Sequence, residues 1–301
     1  MSSGGWKGFV HRLELFGVKL LASLPLLLPY KWSIKAGGLF GAFAFDVVRV
    51  RRGVTLENLE RAFGDGMTAG EKVRTGRRSY INFTKSMVEL ISLRRLSTEK
   101  LRQLVRIHGR ENIDAALAEG KGVIVVTGHF GSWELLGASG AAQGLPVDFI
   151  VGEQSNTLVD DYVNGLRSSA GIGLIPKGIS IRGVFSSLKK NRTIAMLSDQ
   201  DARKAGVFVD FFGIQSSTFP GAAQFVVKTG CPMVFCSIVR SGDETHDAWF
   251  KPAMHADREA GAQEEILRLT AAFTKDLEDA IRKNPDHYFW AHKRWKTRPP
   301  E

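Results

Sequence analysis

The sequence predicts an α/β protein built on an open, largely parallel β-sheet with helices on its faces. Three observations predict this class. After residue 105, short apolar runs alternate with segments whose apolar residues recur at helical spacing. The preceding region, 53–104, has helical spacing, and residues 1–52 contain long apolar runs. A chain of 301 residues with 44% hydrophobic residues can bury a core of this kind.

Residues 1–52 form the first predicted unit, a membrane-anchoring helical segment. Its longest uncharged run, 20–30, is interrupted by Pro25 and Pro29 and is shorter than the about 20 apolar residues of an ordinary spanning helix. A second apolar run, 36–45, is rich in glycine. It is followed by three arginines, Arg49, Arg51 and Arg52. Two half-length apolar pieces beside basic residues predict a hairpin at the surface of an anionic membrane.

Other interpretations of this segment stay open. A pair of ordinary core helices would give the same pattern, and a span that starts near residue 9 requires Glu14 and Lys19 to pair or to snorkel. A cleaved signal peptide is disfavoured because no small-residue cleavage site follows Tyr30.

The second predicted unit, 53–301, is the catalytic domain, and its first part, 53–104, is a helical lead-in. Apolar residues recur at helical spacing in 54–63 and again in 71–93. The polar and basic stretch 94–100 is expected to end this helical region.

The remaining residues, 105–301, are predicted to form the α/β core. Strands are predicted at 123–126, 147–151, 193–197, 207–212 and 233–239. Helices are predicted at 133–142, 159–170, 181–190 and 221–228. Sites in folds of this kind lie beyond the carboxyl ends of the strands. The segment that follows the first of these strands is therefore the first place to look for chemistry.

That segment, 127–134, reads Thr-Gly-His-Phe-Gly-Ser-Trp-Glu. A histidine of ordinary pKa can take a proton from a hydroxyl group, and a nearby carboxylate would fix its tautomer. On one continuous helix the side chains of His129 and Glu134 would diverge by roughly 140°. We therefore expect His129 in a loop and Glu134 in the first turn of a helix, with Gly131 in the bend and Ser132 as the cap.

Motifs of several other enzyme classes are absent from the sequence. It has no Gly-x-Ser-x-Gly elbow, no His-Glu-x-x-His, no Walker A loop and no Gly-x-Gly-x-x-Gly at the head of a helix. Cys231 and Cys236 have neither redox nor zinc spacing, so we expect buried free thiols, a reducing location and no metal site. A base without an enzyme nucleophile predicts direct attack by a bound alcohol on an acyl group.

The charge of the chain predicts an anionic partner. Its formal net charge is +10 and its pI is about 9.7. A membrane surface, a phosphorylated substrate, an acidic carrier protein and a nucleic acid all fit this charge. The carboxyl-terminal stretch 290–298 interleaves aromatic and cationic residues, which suits a lipid headgroup zone as well as a nucleic acid. Beside an apolar amino end, the lipid interpretation is favoured.

The residues also carry a resemblance to a known family. The segment from His129 to Glu134 looks like the His-x4-Asp/Glu motif of glycerolipid and lipid A acyltransferases, and nearly the whole chain resembles the lipid A (late) acyltransferase branch. The further matching elements are spread along the chain. They are Asn58 and Leu59; Arg167; Asp199, Gln200 and Asp201; Phe211, Phe212 and Gly213 with Thr218; and Pro285, Tyr288, Trp290, His292 and Arg294.

The resemblance implies a glycerol-3-phosphate-acyltransferase-like fold and an enzyme on the cytoplasmic face of a bacterial inner membrane. It implies transfer of a fatty acyl group from acyl carrier protein to a hydroxyl of a Kdo-bearing, phosphorylated lipid A precursor, without a cofactor and without nucleic acid. Two alternatives remain. One is a related acyltransferase acting on another glycolipid or aminolipid, such as a phosphatidylinositol mannoside. The other is a non-catalytic, basic membrane-binding protein.

The resemblance further implies roles for individual residues. His129 is the expected general base and Glu134 its expected partner. Arg167 is expected to bind an acceptor phosphate or to stabilise the oxyanion, for which backbone N–H groups at 128–131 are the other candidates. Asn58 is expected to buttress packing. The residues expected to bind substrate, or in the case of the two aspartates to brace the site loops, are Arg167, Asp199, Asp201, Gly131, Phe212 and Thr218.

Overall fold

The predicted apolar runs form a mostly parallel sheet flanked by helices. The computed structural model describes residues 3–152, 156–176 and 180–299. Within these ranges the strands are β1 Val105–His108, β2 Val123–Thr127, β3 Val147–Val151, β4 Gly173–Pro176, β5 Thr193–Leu197, β6 Val207–Phe211, β7 Ile214–Thr218, β8 Met233–Arg240 and β9 His246–Phe250. The main sheet has the order β1-β9-β8-β2-β5-β3-β4, and every pair in it is parallel except β8 with β9. This architecture confirms the predicted α/β class.

Helices cover both faces of this sheet, and in the described ranges five α-helices precede its first strand in the chain. They are α1 Ser3–Leu26, α2 Tyr30–Phe43, α3 Arg52–Phe63, α4 Ala69–Ser92, α5 Thr98–Leu104, α6 Arg110–Ala118, α7 Trp133–Ala142, α8 Thr157–Ser169, α9 Ser180–Lys189, α10 Gly221–Thr229 and α11 Ala262–Lys283.

Strand β2 lies at the centre of the core. All five of its residues are buried, which explains its continuous apolar sequence. Ile124 and Val126 belong to the hydrophobic cluster on one face of the sheet, which includes α10 and α11. Val123 and Val125 belong to the cluster on the other face, which includes α7. The strand therefore holds its carboxyl end, and the loop that follows, in a fixed position.

The strand predicted at 207–212 forms, but outside the main sheet. It is β6, which pairs only with β7 in an antiparallel hairpin among the described residues. Phe212 and Gly213 join the two strands with φ of 59° and 75°. Two consecutive residues of positive φ make the turn that matches the twist of a two-stranded hairpin. The prediction treated this run as another member of the parallel sheet because its turn was not recognised.

The amino-terminal helices pack closely on α4. Glycines of α2 make this possible, since a Cβ at Gly41 would overlap the carbonyl oxygen of Tyr80. The hydroxyl of Thr84 donates a hydrogen bond of 2.7 Å to the Gly37 carbonyl. In the part of the chain that the structure describes, no helix is both long enough and apolar enough to cross a bilayer.

The carboxyl-terminal stretch folds back onto the core. Trp290 and Trp295 are buried, so the expectation that its tryptophans face a lipid headgroup zone is wrong for these two rings. Their burial follows from stacking on the apolar cluster of the β6-β7 hairpin, in which Trp295 lies 5.7 Å from Phe211. The side chain of Asn58 donates to the Trp290 carbonyl at 2.7 Å, so α3 is tied to this stretch. That contact agrees with the packing role expected of Asn58.

Candidate active site

The candidate site is built at the carboxyl ends of β2 and β5. The two strands are parallel and in register, with Thr127 opposite Leu197. The next backbone group continues the ladder, because the Ser198 N–H donates to the Thr127 carbonyl at 3.1 Å. The residues that leave the two strands, His129 and Asp199, are therefore brought side by side.

Asp199 holds His129 through two hydrogen bonds. Its Oδ1 lies 2.8 Å from the ring Nδ1, and its Oδ2 accepts the backbone N–H of His129 at 3.0 Å. An ionised carboxylate only accepts, so Nδ1 carries a proton and Nε2 of the neutral ring is left with its lone pair. Gln200 Nε2 lies 3.4 Å from that atom, and the Trp133 ring meets the imidazole edge to face.

The electrostatics of the pair favour a protonated His129. Burial lowers the pKa of His129, but the charge and hydrogen bond of Asp199, together with the charge of Glu134, outweigh it and raise this pKa above its ordinary value. Burial raises the pKa of Asp199, but His129 and, to a smaller extent, Arg294 hold that pKa below its ordinary value. Asp199 is therefore ionised, and the imidazolium that forms during proton transfer is stabilised.

Glu134 lies in the first turn of α7, as expected, yet its hydrogen-bond partner is not the histidine. Arg167, in the last turn of α8, binds it through two bonds, Nε to Oε2 at 3.0 Å and Nη2 to Oε1 at 2.5 Å. We expected Glu134 to orient the imidazole, and the structure corrects this point. The reason is that β5 supplies a nearer carboxylate, while the start of α7 directs Glu134 toward α8. Its charge still acts on His129 across the site.

The backbone of the motif loop is already hydrogen bonded. The N–H groups of His129, Phe130 and Gly131 donate to Asp199, to the Gly128 carbonyl and to the His287 carbonyl. These three N–H groups are therefore not available to an oxyanion, which corrects that part of the expectation. Gly131 has φ of 62°, and a Cβ there would overlap the Ile238 carbonyl oxygen, so only glycine fits this bend.

Two of the other predicted residues support the site loops. Asp201 receives a hydrogen bond of 2.9 Å from Thr297, and its backbone N–H donates to His292 Nε2 at 3.1 Å. Thr218 is fully buried and accepts a hydrogen bond of 2.5 Å from Arg294. The contacts of Asp201 fasten the Asp199 loop to the carboxyl-terminal stretch, and the contact of Thr218 fastens the end of β7 to the same stretch.

Phe212 lies elsewhere. Its ring is buried between Phe63 and Trp290, and its backbone N–H donates to Glu278 of α11 at 2.6 Å. Phe212 does not line the cavity described below, so its position does not support the expected role in binding substrate.

Tyr288 is a member of the site that chemical reasoning from the sequence missed. It is buried, its pKa is raised by burial and by Asp199, and its hydroxyl interacts with that carboxylate. Tyr288 does belong to the carboxyl-terminal group of residues that carries the family resemblance. The spacing of that group does not indicate that Tyr288 contacts the Asp199 loop. Both cysteines are buried and unpaired, as predicted.

A cavity of about 490 Å³ opens beside the motif. Glu134, Arg167 and Gln200 contribute polar groups to it, and most of the rest of its lining is apolar. It forms because β3 pairs with β5 only as far as Phe149 opposite Ala195, after which β3 continues beside β4 alone. The gap between the diverging strand ends makes room for an apolar ligand. Among the described residues, no group of three or more side chains is arranged to hold a metal ion.

A loop histidine oriented by a buried carboxylate, beside an apolar cavity with an arginine at its polar part, is suited to general-base transfer of an acyl group to a hydroxyl. Comparison with known proteins identifies the family. The sequence model for the bacterial lipid A biosynthesis acyltransferases matches residues 10–297, and the chain belongs to that family. It is therefore an acyltransferase, and the non-catalytic alternative is not supported.

Several curated relatives are similar over most of the chain. The lipid A biosynthesis palmitoleoyltransferase of Escherichia coli (strain K12) is 27% identical, with 95% of this chain and 92% of the relative covered. A lipid A biosynthesis acyltransferase of Haemophilus influenzae is 25% identical over 95% of this chain and 87% of its own. A phosphatidylinositol mannoside acyltransferase of Mycobacterium tuberculosis is 30% identical over 48% of each chain.

Proposed function

We propose that this enzyme transfers a fatty acyl group from the thioester of an acyl carrier protein to a hydroxyl of a Kdo-bearing, phosphorylated lipid A precursor. The observation that carries the proposal is the His129 ring, held through Nδ1 by Asp199 so that the basic lone pair is on Nε2, which lies 3.4 Å from Gln200 Nε2. The names of the relatives that cover almost the whole chain support the acceptor class.

In the proposed reaction, His129 Nε2 removes the proton of the acceptor hydroxyl as its oxygen attacks the thioester carbonyl. The tetrahedral intermediate collapses with cleavage of the C–S bond, and the proton held by His129 passes to the departing thiolate. Asp199 stabilises the imidazolium between these two steps. The products are an ester on the lipid and a free carrier thiol.

Arg167 is the proposed stabiliser of the oxyanion. Three of its five N–H groups bind Glu134 and Asn164, which leaves two for a ligand. Because Glu134 fixes the guanidinium plane, those donors are aimed before the substrate arrives. This assigns Glu134 an indirect part in catalysis through Arg167, besides its electrostatic effect on His129.

The cavity is the proposed site of the fatty acyl chain. Leu136, Phe149, Met196 and Phe225 give it apolar walls, and its polar part lies beside Glu134 and Arg167. An acyl chain in this cavity would leave its thioester near the base. The depth of the cavity would then set the preferred chain length.

Exposed cations beside the site suit an acidic carrier protein. Arg203 and Lys204 follow the Asp199 loop, and the carboxyl-terminal stretch, tied to that loop through Thr297, adds three more. The five exposed cations are Arg203, Lys204, Lys293, Lys296 and Arg298. In the described ranges none of them lies within 4.0 Å of a carboxylate, so their charge is available to a partner.

The amino-terminal helices are the proposed membrane contact, on the cytoplasmic face of the bacterial inner membrane. On α1, Phe9, Leu13, Phe16 and Leu20 are exposed at helical spacing. On α2 and just after it, the exposed apolar residues are Trp32, Leu39, Phe40, Phe43, Val47 and Val48. We call these two sets the apolar stripe. Exposed apolar surface of this extent on a basic protein suits an anionic bilayer.

A single assay tests the proposed function. Purified enzyme is incubated with acyl carrier protein thioesters of several chain lengths and with either a Kdo-lipid IVA precursor or a phosphatidylinositol mannoside. The masses of the lipid products are then measured by mass spectrometry. We expect the lipid A precursor to gain one acyl mass. Gain by the mannoside alone would favour the second candidate, an acyltransferase acting on such a glycolipid, which the mycobacterial relative supports over 48% of this chain. No gain on any acceptor with any donor would contradict both.

A further inference from the structure

One buried asparagine joins helix α1 to helix α8. Asn156 immediately precedes α8 and is 5% exposed. Its Oδ1 accepts the backbone N–H groups of Leu158 at 3.0 Å and of Val159 at 3.4 Å, so it caps the helix. Its Nδ2 donates twice to α1, to the His11 carbonyl at 2.9 Å and to Glu14 Oε2 at 2.7 Å. The two ends of one side-chain amide therefore bind two different helices.

The cap alone does not explain the asparagine. Asparagine, aspartate and serine cap helices about equally well. A cap is also dispensable in this protein, since Ser132, which we expected to cap α7, makes no capping bond. What aspartate and serine lack is an amide N–H₂ group that can donate to two acceptors on α1. The contact with α1 is therefore the property that distinguishes Asn156.

A second contact joins the same two helices further along. The ammonium group of Lys19 lies 5.7 Å from the centre of the Tyr162 ring. Lys19 follows Glu14 by five residues, and Tyr162 follows Asn156 by six. The two helices therefore run alongside each other, in the same direction, for more than one turn.

Helix α8 has few other buried contacts. Leu166 is its one residue that is fully buried, and Tyr162 and Val163 pack against the same apolar cluster while staying partly exposed. Polar contacts therefore hold both ends of the helix. Arg167, in the last turn, binds Glu134 of α7, and Asn156, before the first turn, binds α1. Because a helix is stiff, a shift of its first turn also tilts the last turn, from which Arg167 reaches the cavity.

The side of α1 that binds Asn156 is not the side that we propose lies on the membrane. At 100° per residue, Glu14 is roughly 130° around the helix from the centre of its exposed apolar residues. These are Phe9, Leu13, Phe16 and Leu20. Helix α1 can therefore contact a bilayer and α8 at the same time.

We propose that Asn156 is a positioning residue that sets the position of α8, and with it that of Arg167, relative to α1. The consequence for turnover rests on the proposed function, in which Arg167 stabilises the oxyanion. The consequence for α8 does not, since it concerns only the contacts between two helices.

Asn156→Ser and Asn156→Asp remove the contact with α1 and keep the cap. In Asn156→Asp, two carboxylates also replace the 2.7 Å hydrogen bond, and they repel each other. Hydrogen–deuterium exchange of residues 157–169 reports on α8 independently of turnover. We expect this exchange to be about three- to ten-fold faster in Asn156→Ser, because two hydrogen bonds are lost, and at least about ten-fold faster in Asn156→Asp.

Combining Asn156→Asp with Glu14→Lys reverses the direction of the hydrogen bond, because the donor is then on α1 and the acceptor on α8. We expect exchange of residues 157–169 in the double variant to return to within about three-fold of the wild type. Glu14→Lys alone places donors on both helices, so its α8 is expected to exchange faster than that of the double variant. A role confined to capping or to general stability would not produce this recovery.

Turnover is measured on the same proteins with the acyl-transfer assay. Misplacing a group that acts on the reacting atoms can cost up to about a hundred-fold, so Asn156→Asp and Asn156→Ser are each expected to lower kcat roughly ten-fold. Donor KM is expected to change less than about two-fold, because the apolar walls of the cavity come from other elements than α8. The double variant is expected to recover most of the lost kcat.

Asn191→Asp is the matched control. The Asn191 amide also bridges two groups, since it accepts the Gly122 N–H at 2.9 Å and donates to the Leu117 carbonyl at 3.0 Å. It lies just before β5, at the end of that strand away from the site. We expect Asn191→Asp to change thermal unfolding without changing kcat or the exchange of α8.

Faster α8 exchange in Asn156→Asp that Glu14→Lys reverses would support the positioning role even if wild-type protein transferred no acyl group. In that case the proposed function fails and the contact between the helices stands. Wild-type exchange in Asn156→Ser, or no recovery in the double variant, would overturn the role. Faster α8 exchange with unchanged kcat in an active enzyme would overturn its action through Arg167. Should Asn156→Asp not fold, Asn156→Ser decides alone.

Discussion

At the scale of residues, the proposed chemistry depends on the pairing of His129 with Asp199. The two residues are 70 positions apart in the chain, and the carboxylate binds both the ring and the backbone of the histidine. The first bond fixes the tautomer, and the second fixes the loop from which the ring projects. One buried side chain thus determines which nitrogen is basic and where that nitrogen lies.

This pairing predicts the pH dependence of the reaction. In the proposed reaction the base is the neutral ring, so kcat/KM is expected to rise as pH increases through the pKa of His129, which Asp199 holds above its ordinary value. In Asp199→Asn the stabilising charge is lost while burial still disfavours the protonated ring. The midpoint is therefore expected to fall, together with the maximal rate. Rate profiles between about pH 5 and pH 9 check this prediction.

Asp148→Asn is the matched control for that profile, because Asp148 is also a buried carboxylate but its charged partner is Arg192 and not a histidine. Its midpoint is expected to stay with that of the wild type. An Asp199→Asn midpoint equal to or above the wild-type value would contradict the assigned pairing.

The sequence was sufficient to place His129 but not its partner. A glycine-flanked histidine after a buried run predicted a loop at the end of a strand, and that is where the ring lies. Asp199 also follows a predicted strand, but only the order of the strands tells that β5 is next to β2. Glu134, nearer in the chain, was the natural choice when spacing along one segment was the only measure.

At the scale of elements, the divergence of β3 from β5 accounts for the cavity that we propose holds the acyl chain. Three residue pairs join these strands before β3 continues beside β4 alone, so the gap lies near the end of the sheet that carries the site. Both β3 and β5 were predicted as strands of this sheet. The strand β6 was also predicted, but it was assigned to the wrong sheet. Strands β1, β4, β7 and β9 were not predicted, because none of them contains four apolar residues.

Helix α7 forms another wall of the cavity. Gly140 of this helix lines the cavity, so a larger residue there would reduce the depth of the cavity. A Cβ at this position would meet Leu145 and Val147 at 3.5 and 3.7 Å, which are ordinary contacts, so Gly140→Ala should fold. The added methyl group takes up space on the cavity wall. One methylene is worth about 0.8 kcal/mol, so we expect preference for the shorter of two homologous donors to grow about four-fold.

Competition between two carrier thioesters of neighbouring chain length measures this change. Gly165→Ala on α8 is the control, since a Cβ there meets no other atom and the residue does not line the cavity. An unchanged donor preference in Gly140→Ala would place the acyl chain somewhere else.

At the scale of the whole molecule, the apolar stripe and the basic charge favour one orientation of the protein on the proposed membrane surface. The net charge is +10, and unpaired cations lie beside the site loops among the described residues. The stripe would rest on the bilayer while the cations face an acidic carrier. That division would let one enzyme meet a lipid acceptor and a soluble donor.

We expect Leu39→Ser with Phe40→Ser to weaken binding to anionic vesicles at least about ten-fold, since each side chain contributes on the order of 1.5 kcal/mol or more when buried. Vesicle sedimentation measures this. Leu267→Ser, at an exposed leucine of α11 outside the stripe, is expected to bind as the wild type does. Equal binding by the stripe variant would assign membrane contact to another surface.

The initial rate of acyl transfer by His129→Ala tests the central claim most directly. It is measured with a carrier thioester and the Kdo-bearing precursor, on protein whose circular dichroism and thermal unfolding match the wild type. A general base contributes about a hundred-fold or more, so we predict a loss of at least that size. A folded His129→Ala enzyme that keeps its rate within about ten-fold of the wild type would contradict the assignment of His129 as the base.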